Sequence, residues 1–223
     1  MSSARLDGKR VAIMATDGVE QSELAEPQQA LHKAGAATFV VAPKRGSIKG
    51  YEHDKSTTEF KVDRTIAEAK PEDYDALVLP GGVMNADALR QDAGAVKFVK
   101  AFVQAGKPIA AICHAPWLLI EADAVRGKSL TSFPSLKTDL RNAGANWADR
   151  EVVVDQGLVT SRTPQDLRAF NEKMVEEIAE GVHTAANRDS GALAGATSAA
   201  QGRDYGGRAG TKPQAGEQFG SNR

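Results

Sequence analysis

The chain has 223 residues, 41% of them hydrophobic, a formal net charge of -1 and a single cysteine. A chain of this length can hold one sizeable domain with a tail, and its balanced charge gives no field that would recruit nucleic acid or a membrane surface. One cysteine excludes an intramolecular disulfide, and no apolar segment approaches the length of a membrane span. We therefore expect a reducing, cytoplasmic setting in which a thiol stays available for chemistry.

Apolar runs that alternate with amphipathic segments predict an α/β fold. The predicted strands cover residues 9–15, 37–42, 75–80, 108–112 and 128–131, followed by a hairpin of residues 151–155 and 158–161. The predicted helices cover residues 20–34, 93–105, 116–120, 134–143 and 164–180. Such alternation is typical of a mainly parallel sheet with helices on both faces, which binds ligands at the carboxyl ends of its strands.

The segments between these elements carry weaker signals. We expect surface loops over residues 43–54 and 83–92, a short half-exposed strand at 60–62, and a short helix over 63–70 capped by Asp63. The apolar stripe expected on the helix of residues 93–105 consists of Val96, Val99, Phe102 and Val103. Residues 182–223 are rich in glycine, alanine and arginine, which predicts a disordered tail after a domain of residues 1–181.

The strand of residues 108–112 leads directly into Cys113 and His114, and Pro116 suits the first turn of a following helix. A thiol at such a bend faces unpaired backbone N–H groups, which favour its ionised form, as in a nucleophile elbow. His114 could accept the thiol proton or act as a general acid. The alternatives are a cysteine that is simply a small buried side chain and a histidine that is only hydrogen-bonded in the turn.

Two further groups follow the first and third predicted strands. Glu20 and Glu23 fall in the first turn of a helix, where the helix dipole stabilises acids in any case, but either could share a proton with Cys113. Gly81 and Gly82 could form only a turn, or could let a backbone N–H approach a reacting oxygen. The N–H groups of Gly82 and His114 would then form an oxyanion hole.

Several of these segments together resemble the PfpI branch of the ThiJ/PfpI superfamily. The matching segments are residues 76–82, 108–116, 124–132, 142–144 and 155–164, within a match over about residues 8–181. This resemblance implies a flavodoxin-like three-layer sandwich of the class I glutamine amidotransferase type. It also implies a homodimer or higher oligomer, with activities in that superfamily described as cysteine peptidase, protein deglycase, glyoxalase and stress protection.

The resemblance also implies roles for individual residues. Cys113 is expected to be the nucleophile, His114 its partner, and Gly82 with His114 the oxyanion donors, while Glu20 or Glu23 lies near the thiol. Asp87 matches a carboxylate that reaches the histidine from a neighbouring subunit, although it is one methylene shorter than the glutamate of some relatives. Phe133 stands where a pocket tyrosine is frequent.

Three functions remain open at this point. The first is a cofactor-free cysteine enzyme that acts on methylglyoxal or early glycated adducts, the second is an intracellular cysteine peptidase, and the third is a redox sensor or chaperone with an oxidisable cysteine. An amidotransferase is disfavoured because residues 162–171 contain no histidine. No cofactor and no metal site are expected, since His32, His53 and His183 are scattered among unrelated elements.

Overall fold

The computed structural model describes residues 4–52 and 55–182. The described residues form six α-helices: α1 (Gln21–Ala34), α2 (Val83–Gln91), α3 (Ala93–Gln104), α4 (Pro116–Glu121), α5 (Lys137–Asn142) and α6 (Leu167–Glu180). They also form twelve strands: β1 (Arg10–Met14), β2 (Val19–Glu20), β3 (Ala37–Ala42), β4 (Ser47–Glu52), β5 (Lys55–Lys61), β6 (Arg64–Thr65), β7 (Ala76–Leu79), β8 (Ile109–Ile112), β9 (Ser129–Leu130), β10 (Asn146–Trp147), β11 (Val152–Asp155) and β12 (Leu158–Ser161).

Seven of the strands form the central sheet in the order β11-β12-β8-β7-β1-β3-β6. All neighbours in this sheet are parallel except β11 and β12, which are the antiparallel hairpin that the sequence predicts. The predicted mainly parallel sheet is therefore confirmed. Strands β7 and β8 are buried along their whole length, which explains why they appear in the sequence as unbroken apolar runs.

The core consists of two apolar layers, one on each face of the sheet. Alternate residues of β1 point to opposite layers, with Ala12 and Met14 in one and Val11 and Ile13 in the other. Helices α2, α3, α4 and α5 contribute to the first layer, whereas α1 and α6 contribute to the second. The result is the three-layer sandwich that the resemblance implies.

Helix ends follow local chemistry. Helix α1 stops at Gly35, which adopts a φ of 100° and donates its N–H to the last turn. Helix α3 starts at Asp92, whose side chain accepts hydrogen bonds from the N–H groups of Gly94 and Ala95. These two helices have the bounds that the sequence predicts to within a residue.

Three sequence-based expectations are wrong. Residues 83–92 are not a loop, because helix α2 occupies most of them and buries Leu89 in the core. Residues 43–54 are not wholly a loop either, because β4 pairs with β5 in an antiparallel hairpin. Asp63 does not cap a helix, since its carboxylate accepts a hydrogen bond from the backbone N–H of Val40 at 2.8 Å.

The apolar stripe of α3 is also shifted. Val99 and Phe102 are buried as expected and Val96 is partly buried, but Val103 is 41% exposed. Phe98 is buried instead and packs against Phe102, with ring centroids 5.2 Å apart. A period of 3.6 residues places position 98 on the same face as 102, and the larger ring fills that space.

Residues after β1, β7 and β8 meet at one edge of the sheet, as predicted. A small second sheet of β2, β4 and β5 lies at the same edge and extends one wall above it. None of the helices formed by the described residues has the length and apolar character needed to cross a bilayer. The predicted tail lies almost wholly outside the described residues, so its disorder remains a prediction.

Candidate active site

Cys113 occupies a strained bend between β8 and α4. Its φ is 63°, in the left-handed region that residues other than glycine rarely adopt. Two backbone hydrogen bonds hold this bend: the N–H of Cys113 donates to Ser161 at 3.1 Å, and its carbonyl accepts from Phe133 at 2.9 Å. The bend has the conformation of a nucleophile elbow, with the thiol directed away from the sheet edge into a cavity.

Gly81 leaves room for the thiol and for its acidic neighbour. A Cβ atom on Gly81 would lie 2.5 Å from the Cβ of Cys113 and 2.4 Å from Oε2 of Glu23. Both distances are far below van der Waals contact, so a side chain at this position would displace the nucleophile or the acid. Position 81 therefore has to be glycine, because the nucleophile and the acid both approach its backbone closely.

The next glycine presents a hydrogen-bond donor to the sulfur. Gly82 has a φ of 90° and packs on the loop after β1, so that an added Cβ would lie 2.3 Å from the carbonyl oxygen of Gly18. The backbone N–H groups of Gly82 and His114 both interact with the sulfur of Cys113 and lower the pKa of the thiol. Two N–H groups that converge on a nucleophile are the arrangement of an oxyanion hole.

Glu23 is the acid that lies against the nucleophile. Its side chain is fully buried, and Oε2 accepts a hydrogen bond from the N–H of Gly81 at 2.9 Å. Oε1 is buried without a hydrogen-bond partner of standard geometry, yet the carboxyl group interacts with Cys113 closely enough for the thiol to affect its pKa. Burial, aided by the negative charge of Glu20, raises the pKa of Glu23 to about 8.

Glu20 lies farther out, at the start of α1. It lines the cavity, and its carboxylate accepts a hydrogen bond from the hydroxyl of Ser22 at 3.3 Å. Its backbone N–H donates to the carbonyl of Gly81 at 3.2 Å, which ties the two loops together. The structure therefore brings Glu23, rather than Glu20, into contact with Cys113.

The protonation states of the thiol and of Glu23 are linked. Burial and the negative charge of Glu23 raise the pKa of Cys113, while the two backbone N–H groups oppose this rise. Because the pKa of Glu23 is about 8, its carboxyl group is mostly protonated at neutral pH and that repulsion is absent. A protonated carboxyl group beside the sulfur can donate a hydrogen bond to a thiolate or pass a proton to a bound oxygen.

The imidazole of His114 lies beside the sulfur of Cys113. Its Nδ1 lies 3.1 Å from Sγ of Cys113, and its Nε2 lies 3.3 Å from Oγ of Ser135. The imidazole stacks on Phe133 at a centroid distance of 4.5 Å. Burial lowers the pKa of His114, so the ring is neutral at pH 7 and able to accept a proton.

Asp87 does not join this group within the subunit. It lies exposed on α2, and its carboxylate accepts a hydrogen bond from the side chain of Gln91 at 3.1 Å. Sequence analysis places Asp87 at the histidine of a neighbouring subunit, so its absence from this subunit's site agrees with that expectation without testing it.

Asn85 supports the site and was missed by sequence analysis. Its buried side chain donates to the carbonyls of Pro80 and Gly81, each at 3.0 Å, and accepts from the N–H of Thr16 at 2.7 Å. These bonds connect the loop after β1 with the glycine turn that carries one oxyanion donor. A polar residue a few positions after a glycine pair is a weak signal, because only the folded loops reveal its three partners.

The cavity above the thiol has a volume of about 740 Å³. Its walls come from the start of α1, the end of β4, the start of α2, the cysteine elbow and residues 163–165. Among the described residues, no three His, Cys, Asp or Glu side chains are grouped so that they could hold a metal ion. The polar groups at its floor suit the addition of sulfur to a small carbonyl compound.

Comparison with known proteins agrees with this geometry. The model of the DJ-1/PfpI family matches residues 9–177. This chain belongs to the DJ-1/PfpI family. The predicted family and flavodoxin-like fold are thereby confirmed, and the alignments with three curated relatives each cover 95% of the relative.

Three relatives in this family are informative. Protein/nucleic acid deglycase 2 of Escherichia coli (strain K12) is 45% identical over 167 residues, which cover 74% of this chain and 95% of the relative. General stress protein 18 of Bacillus subtilis (strain 168) is 44% identical over 168 residues, with the same two coverages. YraA of the same organism, which is provisionally named a cysteine protease, is 41% identical over 165 residues, again with coverages of 74% and 95%.

Among solved structures, Drosophila melanogaster DJ-1beta superposes with a TM-score of 0.70 at 29% identity. The match covers 84% of this chain and 98% of that one. The names in this family support the predicted class of cysteine-dependent hydrolase with a role in stress.

Proposed function

We propose that this protein is a cofactor-free, cysteine-dependent enzyme of glycation defence that converts methylglyoxal, free or as an early adduct, to a hydroxy acid. The observation that carries the proposal is the contact between buried Glu23 and the thiol of Cys113, beneath two backbone N–H donors. This arrangement provides a nucleophile, a proton donor and an oxyanion site within one small cavity. The 45% identity to a protein named as a deglycase supports the same conclusion.

The first step forms a carbon–sulfur bond. Neutral His114, whose Nδ1 lies 3.1 Å from the sulfur, takes the proton of the Cys113 thiol as the sulfur adds to the aldehyde carbon. The N–H groups of Gly82 and His114 stabilise the resulting oxyanion. Protonated Glu23 then donates its proton to this oxygen, which gives a thiohemiacetal and leaves Glu23 as a carboxylate. The proton of Glu23 thus becomes the hydroxyl proton of the intermediate.

The second step transfers a proton within the substrate. The Glu23 carboxylate removes the proton from the former aldehyde carbon and returns it to the neighbouring ketone carbon, through an enediol. The first carbon is oxidised to a thioester while the second is reduced to an alcohol, so the electrons balance without an external acceptor. Water then adds to the thioester, the carbon–sulfur bond breaks and lactate leaves, while protonated His114 returns a proton to the sulfur and restores the thiol.

A second subunit completes the site in this proposal. Val83 and Met84 begin α2 beside the cavity and are 52% and 55% exposed. Asp87 lies one helical turn farther along the same face, so an apolar contact there would carry a carboxylate to the neighbouring subunit. We place that carboxylate at Nε2 of the partner subunit's imidazole, which would orient the ring as the third member of a triad orients its histidine.

The test replaces the nucleophile. Cys113→Ser and Cys113→Ala should abolish the loss of methylglyoxal in a metal-chelated preparation while circular dichroism and thermal unfolding stay close to wild type. Ser22→Ala, which removes a hydroxyl from the same cavity wall, serves as the matched control and should retain turnover. Retained turnover by the Cys113 variants would refute the proposal.

Peptide hydrolysis is the second candidate, because the same thiol and oxyanion donors suit a tetrahedral intermediate of acyl transfer and YraA carries a protease name. Rates on a peptide amide and on methylglyoxal, measured side by side on one preparation, separate the two. Peptidase activity that persists in Cys113→Ala would dismiss this candidate. A sensing role, tested by the mass of Cys113 after mild peroxide, also remains a prediction.

A further inference from the structure

Acidic side chains line the cavity above Cys113, and the described residues place no cationic side chain there. Among the described residues that line it, three carry carboxyl groups and none is a lysine or an arginine. The three are Glu20 and Glu23 from the start of α1 and Glu52 from the end of β4. This distribution matters for any substrate that brings a charge into the cavity.

The three acids differ in their exposure, and Glu52 is the one that supplies the charge at the mouth of the cavity. Glu23 is buried and mostly protonated, and the neutral ring of His114 adds no positive charge. Glu20 is partly exposed and accepts a hydrogen bond from Ser22, whereas Glu52 is exposed to water. The floor of the cavity, where the chemistry occurs, is therefore near neutral, and its rim is negative.

Two cations among the described residues, Arg162 and Lys55, lie near the elements that form the rim, and neither forms an ion pair with Glu52. Arg162 precedes the lining residue Thr163 but binds Asp149 and Asp166 at 2.6 and 2.9 Å. Lys55 lies opposite Glu52 in the β4–β5 ladder, yet it does not line the cavity and, among the described residues, no ion pair joins the two side chains. A negative field thus reaches a molecule that enters past Glu52.

Resting on the proposed function, we propose that this rim selects carbonyl adducts on cationic carriers, with Glu52 as a specificity-determining residue. The favoured substrates are adducts next to amine or guanidine groups, such as those borne by arginine-rich peptides. Adducts on carriers with carboxylate or phosphate groups, nucleotides included, are disfavoured by repulsion. Methylglyoxal itself is uncharged and insensitive to this field, while the lactate anion is repelled once it forms.

The experiment compares the same methylglyoxal adduct on three carriers that differ in charge. Methylglyoxal forms hemithioacetals with thiocholine, 2-mercaptoethanol and 3-mercaptopropionate, which carry charges of one positive, none and one negative. In the cavity the hydroxyl proton of the adduct passes to the carrier sulfur, the carrier leaves as a thiol, and Cys113 attacks the aldehyde carbon that this releases. For the full-length protein, kcat/KM should fall in that order, with about a tenfold difference between the extremes at low ionic strength. The difference should shrink steeply in about 1 M salt, since Glu52 is exposed and its field is screened.

Matched variants locate the effect. Glu52→Gln should reduce the ratio between the cationic and the anionic adduct by about threefold. Glu72→Gln removes the same charge from an exposed position before β7, at the opposite edge of the sheet, and should leave the ratio unchanged.

The outcomes separate this inference from the proposed function. If free methylglyoxal and all three adducts fail to react, the proposed function is wrong. If all react but kcat/KM is equal for the three charges, or Glu52→Gln and Glu72→Gln behave alike, the charge selection is wrong and the proposed function stands. If the rate of adduct loss does not rise with enzyme concentration, release of methylglyoxal in solution limits the reaction and the enzyme does not act on the adduct. That result also contradicts the charge selection.

Discussion

The carboxyl group of Glu23 lies fully buried against the thiol of Cys113, and its second oxygen is fixed by the backbone N–H of Gly81 at 2.9 Å. An acid and a thiol in such contact within an apolar site cannot both lose their protons readily. The two titrations are therefore coupled, and loss of the proton from either group raises the pKa of the other.

This contact predicts a pH-dependent stability. The pKa of Glu23 is about 8 in the folded protein and about 4.5 when the carboxyl group is free, so the folded state holds a proton that the unfolded state releases in between. The free energy of unfolding should therefore fall as pH rises from about 4.5 to about 8, by on the order of 4 kcal/mol from this group. Urea unfolding of wild type and Glu23→Gln at several pH values measures it.

Glu23→Gln keeps the acceptor for Gly81 but cannot ionise, so its stability should be flatter over this range and should exceed that of wild type near pH 9. His114 contributes in the opposite direction, because burial lowers its pKa, so its contribution to stability rises as pH increases up to the unfolded pKa and is level above it. Both proteins contain His114, so its contribution cancels when their free energies of unfolding are subtracted at each pH. Parallel curves for both proteins would show that Glu23 is not buried against the sulfur.

Asn85 should act as a positioning residue. Asn85→Ala removes partners from two buried carbonyls and from the N–H of Thr16, which should cost about 2–4 kcal/mol of stability. Because these bonds hold the glycine turn that carries an oxyanion donor, kcat should fall more than KM rises. Asn142→Ala, at an exposed position on α5, is the control and should change neither. A loss of stability with unchanged kcat would limit Asn85 to a structural role.

Gly82 should tolerate a side chain less well than another glycine of similar conformation. Gly82 and Gly46 have φ values of 90° and 103°, but an added Cβ meets the oxygen of Gly18 at 2.3 Å in the first case and no atom within 4 Å in the second. Gly46→Ala should cost about 1 kcal/mol from its backbone conformation. Gly82→Ala should cost clearly more and should reduce turnover. Equal thermal shifts for the two variants would contradict the close approach of the loops.

The contribution of Asp87 can be tested by mixing subunits. Cys113→Ser and Asp87→Ala should each have low activity, the first without a nucleophile and the second without the carboxylate that orients its partner's histidine. Co-refolding equal amounts should restore about a quarter of wild-type turnover, because half of the dimers contain one complete site of two. If the mixture stays as inactive as its components, Asp87 does not act across subunits.

The sequence predicted the parts of the fold whose signals are local. Strands β7 and β8 are buried on both faces, so their apolar runs are continuous, and α1 ends at a glycine whose conformation only glycine adopts easily. Helix α2 was missed because it begins with exposed Val83 and Met84 and lacks a capping side chain, so tertiary contacts stabilise it. Strand β4 was missed because it depends on its partner β5.

Part of the candidate site could be predicted from the sequence for the same reason. Cys113 and the glycine pair are adjacent to buried strands, so their place at the sheet edge follows from the strands. Glu20 and Glu23 lie within one turn of the same helix, and the rotation of that helix against the sheet decides which of them is buried. Asn85 could not be found, because all three of its partners lie on loops whose approach is a property of the assembled fold.

The β4–β5 hairpin has a further consequence. Its two strands form a separate small sheet with β2, and they support Tyr51 and Glu52 at the cavity mouth without contributing to the central sheet that sets the cysteine bend. Recognition and reactivity are thus encoded in different stretches of the gene. Grafting a hairpin of other composition between β3 and β6 offers a route to new substrate preferences on an unchanged reaction centre.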